Sequence, residues 1–97
     1  MYMEVKSMLS INEKINYEDK GEFLVISLNE DGFMLEDKTS IFIFHRIEAK
    51  KFKNIDEAVS RLSKEFDTDN QNMYIVREQI KAFIEELLKY DVVVMRQ

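Results

Sequence analysis

Residues 23–36 read FLVISLNEDGFMLE, and this stretch decides the fold. Its first half places apolar side chains on both faces of an extended chain: Leu24, Ile26 and Leu28 on one, Phe23 and Val25 on the other. Such alternation indicates a strand over residues 22–28 with both faces partly covered. The sequence NEDG at 29–32 predicts a hairpin turn in which Gly32 supplies the positive φ, and residues 33–36 then form a short return strand.

A further strand is predicted upstream, over residues 11–18, where Ile11, Ile15 and Tyr17 recur at even spacing. The residues DKG at 19–21 form a turn between this strand and the next. Three strands in this order predict an antiparallel meander whose third strand has one unpaired edge. Residues 1–10 have little periodicity and are predicted to form an arm. The apolar run VVVM at 92–95 is typical of a short strand, to which we assign no partner.

After residue 36 the apolar period changes from two to about 3.6, which predicts three helices. The first is capped by Asp37, Thr39 or Ser40 and ends between residues 47 and 50. Asn54 and Glu57 resemble a capping box at the start of the second helix. The expected inward positions are Ile43, Phe44 and Ile47 in the first helix, Ala58, Val59, Leu62 and Phe66 in the second, and Met73, Val76, Ile80, Phe83 and Leu87 in the third, widened by Ile84 and Leu88.

These patterns predict one α+β domain over residues 1–97, with a three-stranded antiparallel sheet followed by three helices. Hydrophobic residues make up 45% of the chain, which is enough for one core. The net charge of −5 argues against nucleic acid as a partner, because such binding depends on neutralising phosphates. The sequence has no apolar stretch of membrane-spanning length and no signal-peptide pattern at its start, so we expect a cytoplasmic protein without a membrane partner.

Candidate catalytic and metal sites are weak in this sequence. His45 is the single histidine, Cys is absent, and Gly21 and Gly32 are the only glycines, so neither a nucleophile–base pair nor a phosphate-binding loop can be assembled. The acids at 67, 69 and 78 imitate a calcium loop, but Asn72 occupies the position that requires Gly. We therefore expect no catalytic residue, no cofactor and no metal, and a function in binding.

The unpaired edge of the third strand and the broad apolar stripe of the third helix together indicate a groove for an extended peptide. Such a peptide would add a strand to the sheet. Arg77 and Lys81 lie one turn apart beside the stripe and could meet acidic residues of the ligand. The alternative is that the stripe is entirely core and that the two cations pair with Glu78 and Glu85.

Residues 23–93 resemble the PqqD-like proteins, the leader-peptide recognition elements of ribosomally made, modified peptides. The resemblance is carried by FLVISL at 23–28, FML at 33–35, the helix start at Thr39 and Ser40, NIDE at 54–57, and the apolar positions of the third helix before YDVV at 90–93. The chain departs from the family pattern after residue 35, where one residue is added. It also departs after the first helix, where Glu48 and Ala49 replace Asp-Gly.

The resemblance implies a winged-helix-like fold in which a precursor's leader peptide pairs with the third strand, residues 33–37, and lies against the third helix. A separate peptide-modifying enzyme would then act on the tethered precursor. The phase of the strand, which decides the side chains that face the ligand, stays open. The site residues implied are Phe33, Met34, Leu35, Glu36, Asp37, Met73, Val76, Arg77, Ile80, Lys81 and Ile84.

Two other functions fit the same order of elements. A winged-helix DNA-binding regulator would also have three helices and a hairpin, although the third helix lacks a basic surface. A dimerisation or structural subunit would pair the open edge and residues 92–95 with a second copy, giving a homodimer.

Overall fold

The computed structural model describes residues 8–66 and 70–96. Eight elements follow one another along this part of the chain: β1 (Met8–Ile11), β2 (Asn16–Asp19), β3 (Leu24–Leu28), β4 (Asp31–Leu35), α1 (Lys38–Ala49), α2 (Ile55–Ser63), α3 (Asn70–Lys89) and β5 (Val93–Arg96). The predicted α+β class, with a three-stranded antiparallel sheet and three helices, is confirmed.

The three-stranded sheet has the order β2-β3-β4, with both pairs antiparallel. Ile26 of β3 lies opposite Tyr17 of β2 and Phe33 of β4, so these three side chains share one face of the sheet. Leu24, Ile26 and Leu28 are buried on this face, as predicted. On the other face Val25 is half-buried and Ser27 is exposed, so the sheet has one core face and one face toward solvent.

The hairpin turn between β3 and β4 differs from the prediction. Leu28 pairs with Asp31, which leaves only Asn29 and Glu30 in the turn. Asn29 has the left-handed conformation, with φ of 57°, whereas Gly32 lies inside β4 opposite Ser27. The prediction that Gly32 supplies the positive φ is therefore wrong. Asn takes this role because its short polar side chain tolerates the left-handed region better than other side chains with a Cβ.

A second sheet, of two strands, was not predicted. β1 pairs with β5 antiparallel, with Leu9 opposite Met95 and Ile11 opposite Val93. Residues 8–10 are thus a strand rather than part of an arm, while residues 1–7 lie outside the described residues. The sheet also gives the run at 92–95 its partner.

The predicted strand over residues 11–18 is divided in two, because the chain leaves the first sheet after Ile11 and enters the second at Asn16. Asn12 fixes this break. Its backbone N–H donates to the carbonyl of Val92 at 2.9 Å, and its side-chain amide donates to the carbonyl of Asp91 at 2.8 Å. Asn12 therefore holds the end of β1 against the residues that precede β5.

The end of α3 directs the chain back into β5. Asp91 has φ of 61°, the N–H of Asp91 donates to the Leu88 carbonyl at 3.2 Å, and the N–H of Val92 donates to the Leu87 carbonyl at 2.9 Å. These two bonds form the Schellman arrangement, which satisfies free carbonyls at a helix end and reverses the chain. Val92 is buried immediately after it, so the start of β5 is fixed in the core.

The first two helices begin at capping residues that the sequence predicted. Asp37 caps α1 by accepting from the Ser40 N–H at 2.9 Å, and Asn54 caps α2 by accepting from the Glu57 N–H at 2.8 Å. The Glu57 carboxylate accepts from the N–H of Lys53 at 3.0 Å, one residue before the position expected for a capping box.

One core joins both sheets to the three helices. It contains the predicted inward residues of α1, and Ala58, Val59 and Leu62 of α2. Phe66 lies beyond the end of α2 but packs on this core, with its ring centroid 5.7 Å from that of Phe42. The remaining buried apolar members of the core are Leu9, Leu24, Ile26, Phe52, Ile80, Ile84, Leu87, Val92 and Val93. Across residues 8–66 and 70–96, no helix combines the length and apolarity that spanning a membrane requires.

The assignment of the left-handed residue predicts opposite effects of two substitutions. Asn29→Ala should lower the free energy of unfolding by about 1 kcal/mol, because a Cβ-bearing residue without a polar side chain is strained there. Gly32→Ala should be neutral or stabilising by up to about 1 kcal/mol, because Ala loses less backbone entropy in a strand, and a Cβ at Gly32 meets no atom within 4 Å. Urea unfolding of both variants measures this, and a reversed order would contradict the turn.

Candidate functional site

The two outer edges of the three-stranded sheet differ in chemistry. The β2 edge carries charges, including Glu18, whose carboxylate lies 3.0 Å from the Lys20 ammonium. After its first residue, Asp31, β4 instead reads Gly32, Phe33, Met34 and Leu35. Within the described residues, β4 has β3 as its only strand partner. Since charged side chains on an edge oppose pairing with another strand, β4 is the edge better suited to accept one.

A groove of about 540 Å³ runs beside this open edge. Its walls are β4 with the residues that follow it and the C-terminal half of α3. Phe33 and Tyr90 meet across it, with ring centroids 5.1 Å apart. The residues lining it are Ile26, Gly32, Phe33, Met34, Leu35, Glu36, Asp37, Ser40, Phe83, Glu86, Leu87, Tyr90 and Val92.

The structure fixes the phase of β4, which the sequence left open. Phe33 lies opposite Ile26 and Leu35 lies opposite Leu24, so both point to the core face and form the floor of the groove. Met34 lies opposite Val25 on the other face, and 53% of it is exposed. A strand added to this edge would therefore direct alternate side chains toward the groove.

A second groove of about 370 Å³ continues the first along α3 toward its N-terminus. The two share Asp37, Ser40 and Phe83, and we call them together the β4–α3 groove. The second part is deepened by apolar side chains from α1, from α3 and from the residues that follow α2. Its lining residues are Asp37, Thr39, Ser40, Ile43, Phe66, Val76, Gln79, Ile80 and Phe83.

The N-terminus of α1 lies between the two parts, and its cap places a carboxylate in the groove. The hydroxyl and then the backbone N–H of Ser40 hydrogen-bond to Asp37, and these bonds hold the pKa of that carboxyl below its ordinary value of 3.8. Asp37 is therefore ionised at neutral pH. It is both a structural cap and a fixed negative charge facing any ligand.

The structure brings together only some of the predicted site residues. Phe33, Met34, Leu35, Glu36 and Asp37 line the first part of the groove, and Val76 and Ile80 line the second. Ile84 is fully buried in the core, and Met73 is half-buried but lines neither part.

Arg77 and Lys81 do not line the groove. They line a separate depression of about 330 Å³ between α2 and α3, with Asp56, Tyr74 and Glu78. The reason is helix geometry: one residue along an α-helix turns about 100°, so Arg77 and Lys81 point away from the face that holds Val76 and Ile80.

Sequence reasoning missed the C-terminal half of the helix wall. Phe83 and Leu87 were expected only as core residues, and Glu86 and Tyr90 were not connected with the site, although all four line the groove. The spacing of these residues along α3 could have identified them. Steps of three or four residues from Val76 and Ile80 lead to these positions, so the helix face could have been followed to its end.

A polar cluster lies elsewhere, where β2 meets α1. The Nε2 of His45 lies 2.9 Å from an Asp19 carboxylate oxygen, its Nδ1 lies 3.4 Å from Glu48, and the Tyr17 hydroxyl donates to Glu48. This last bond is the main reason that the pKa of Tyr17 is raised. The N–H of Gly21 and then His45 lower the pKa of Asp19. The cluster ties β2 to α1 and does not line the groove.

In the described ranges, no three His, Asp or Glu side chains converge in a way that could hold a metal ion. Asp67 and Asp69 of the calcium-like sequence lie outside the described residues. The chain was compared with family models, curated proteins and solved structures, and none of them matches it. Its function is therefore inferred from the geometry of the groove.

The dual role of Asp37 predicts a pH-dependent difference between two variants. Because its folded pKa is depressed, the stability that its carboxylate contributes is present above pH 3.8 and is lost as the pH falls through the lower folded value. Asp37→Asn should keep the cap, change stability little at pH 7, and flatten the loss of stability below pH 4. Asp37→Ala should cost about 1 kcal/mol at pH 7. Urea unfolding between pH 7 and pH 2 tests this, and equal losses for both variants at pH 7 would contradict the capping role.

Proposed function

We propose that this protein binds the leader segment of a ribosomally made precursor peptide by strand addition to β4 and presents the peptide to a separate modifying enzyme. The observation that carries the proposal is the position of the groove directly beside an open, apolar sheet edge. An extended peptide placed there satisfies the backbone of β4 and fills the groove at the same time. The resemblance to PqqD-like recognition domains, with their winged-helix-like fold, supports the same function.

Affinity and specificity come from different groups of the site. In an antiparallel ladder, alternate residues of a strand direct their N–H and C=O groups to each neighbour, so half of the backbone groups of β4 are available to a new strand. These bonds are independent of the ligand's sequence. Specificity comes from the alternate ligand side chains that enter the two parts of the groove, where Phe33, Phe83 and Tyr90 provide apolar contact.

Presentation requires no chemistry from this chain. Once the leader is held, the rest of the precursor is tethered near the modifying enzyme, and its effective concentration there rises. Because precursor peptides of this class are ribosomal products, we place the activity in the cytoplasm.

DNA binding is the weaker alternative. On the exposed surface of α3, Arg77, Lys81 and Lys89 are matched by Glu78, Glu85 and Glu86. A recognition helix with this balance of charges would gain little from neutralising phosphates. Peptide binding in the groove does not require phosphates to be neutralised.

Strand addition predicts a defined pattern in an NMR titration. Leaders of short precursor peptides encoded next to this chain are added to the ¹⁵N-labelled protein. We expect amide shifts concentrated at residues 31–37 and along α3 from Val76 to Tyr90. A flat titration by every leader, with the spectrum of a folded protein retained, would contradict leader binding.

The strand geometry itself is tested on the ligand. N-methylation of alternate residues in two complementary sets removes N–H groups that face either β4 or solvent. One set should abolish binding and the other should retain it, whereas equal behaviour of the two sets would contradict strand addition. Because only the ligand is altered, the pairing of Leu35 with Leu24 in the protein stays intact.

Two exposed tyrosines of the α3 region offer a matched comparison. Tyr90 lines the groove and is 43% exposed, and Tyr74 lies outside it and is 71% exposed. Tyr90→Ala should weaken leader binding about tenfold, as expected for loss of an aromatic contact in a binding site. Tyr74→Ala should leave the affinity unchanged. Isothermal titration calorimetry measures both, and an equal effect of the two substitutions would place the ligand elsewhere.

A further inference from the structure

All charged side chains that line the β4–α3 groove in the described part of the chain are carboxylates: Glu36, Asp37 and Glu86. The chain has 14 Lys and Arg residues, yet none of those in the described ranges lines either part. The Nζ of Lys89 lies 5.7 Å from the centroid of the Tyr90 ring, which lines the first part of the groove. The groove therefore has a negative rim around an apolar floor.

The β4 segment has a similar distribution of charge, with acidic residues on both sides of an apolar centre. Residues 29–37 read NEDGFMLED, so Glu30 and Asp31 precede the apolar centre and Glu36 and Asp37 follow it. Since a strand rises about 3.3 Å per residue, the two acidic ends lie roughly 17 Å apart. Among the described residues, the salt bridges involve other carboxylates, and none of these four acids pairs with Lys or Arg.

The carboxylates at the two ends of β4 favour some binding partners for this edge over others. A second copy of the chain would bring its own β4 with the same acids at both ends, so either orientation of pairing would place carboxylates near carboxylates. Nucleic acid would bring phosphates to the same carboxylates. A peptide with basic residues gains attraction at both ends and keeps its apolar contacts in the middle.

We propose that the β4–α3 groove takes an extended peptide with Lys or Arg on both sides of an apolar centre, the two basic positions being about five residues apart. This inference rests on the proposed function and specifies the chemistry of the ligand. Apolar side chains of the peptide centre contact Phe33 and Phe83. The basic ends reach Asp31 at one end of β4 and Glu36, Asp37 or Glu86 at the other. The ligand class is the opposite of the acidic leader expected from Arg77 and Lys81.

A selection experiment tests this with random peptides, so the natural precursor need not be identified. A display library of random 12-residue peptides is selected on the immobilised wild-type protein and on two variants. The first variant removes the groove charges: Glu36→Gln, Asp37→Asn and Glu86→Gln. The second is a matched control that makes the same change of net charge at exposed positions outside the groove: Glu22→Gln, Glu78→Gln and Glu85→Gln. Asp37→Asn keeps a capping side chain, so α1 is expected to stay intact.

We expect peptides selected on the wild type and on the control to be enriched in Lys or Arg at two positions about five apart. Their affinity for the first variant should fall about tenfold at low salt, because each rim pair contributes modestly, and the difference should shrink as salt is raised. When a selected peptide is titrated into the wild-type protein, we expect the amide shifts to concentrate at the residues of the groove, which identifies it as the binding surface.

Two outcomes would overturn the inference, and they can be told apart. Peptides that bind in the groove but lack basic enrichment, or bind the first variant equally well, would refute the basic ligand and leave strand addition standing. A folded protein that selects no peptide at all would refute the proposed function as well.

Discussion

The rest of the structure depends on the burial of β3. Its alternate side chains Leu24 and Ile26 are fully buried in one core with Phe44 of α1 and Ile84 of α3. Burying such a side chain contributes about 1.5–3 kcal/mol, and truncating one to Ala costs about 2–5 kcal/mol. Because strand pairing then fixes β2 and β4 on either side, the position of each sheet edge follows from where β3 lies.

The groove is a consequence of this arrangement. β4 lies at the edge of the sheet, and its core-face residues Phe33 and Leu35 are only half-buried because α3 covers them incompletely. The N-terminus of α1 and the end of α3 complete the walls. The apolar floor is therefore the part of the core that the helices leave uncovered, which explains why it is preformed and continuous with the fold.

In the proposed function, charge would give this apolar surface its selectivity. An open apolar edge invites pairing with any strand, including one from another copy of the chain. Carboxylates at both ends of β4 discourage self-pairing and favour a ligand of opposite sign. Asp37 combines this role with helix capping, so the charge where the two parts of the groove meet is held in place by the same hydrogen bonds that start α1.

The sequence by itself determined the local elements: the alternating strand at β3, the caps at Asp37 and Asn54, the helix faces, and β4 as an edge strand, with β3 as its one strand partner among residues 8–66 and 70–96. These depend on side-chain period and on hydrogen bonds between near neighbours, which short stretches of sequence encode. The tertiary structure decided the pairing of β1 with β5, the left-handed role of Asn29, the phase of β4, and the placement of Arg77 and Lys81 outside the groove. The first joins segments far apart in the chain, the second and third follow from the register of β4 against β3, and the last follows from the rotation of α3 about its axis. Each of these is fixed only when the core packs.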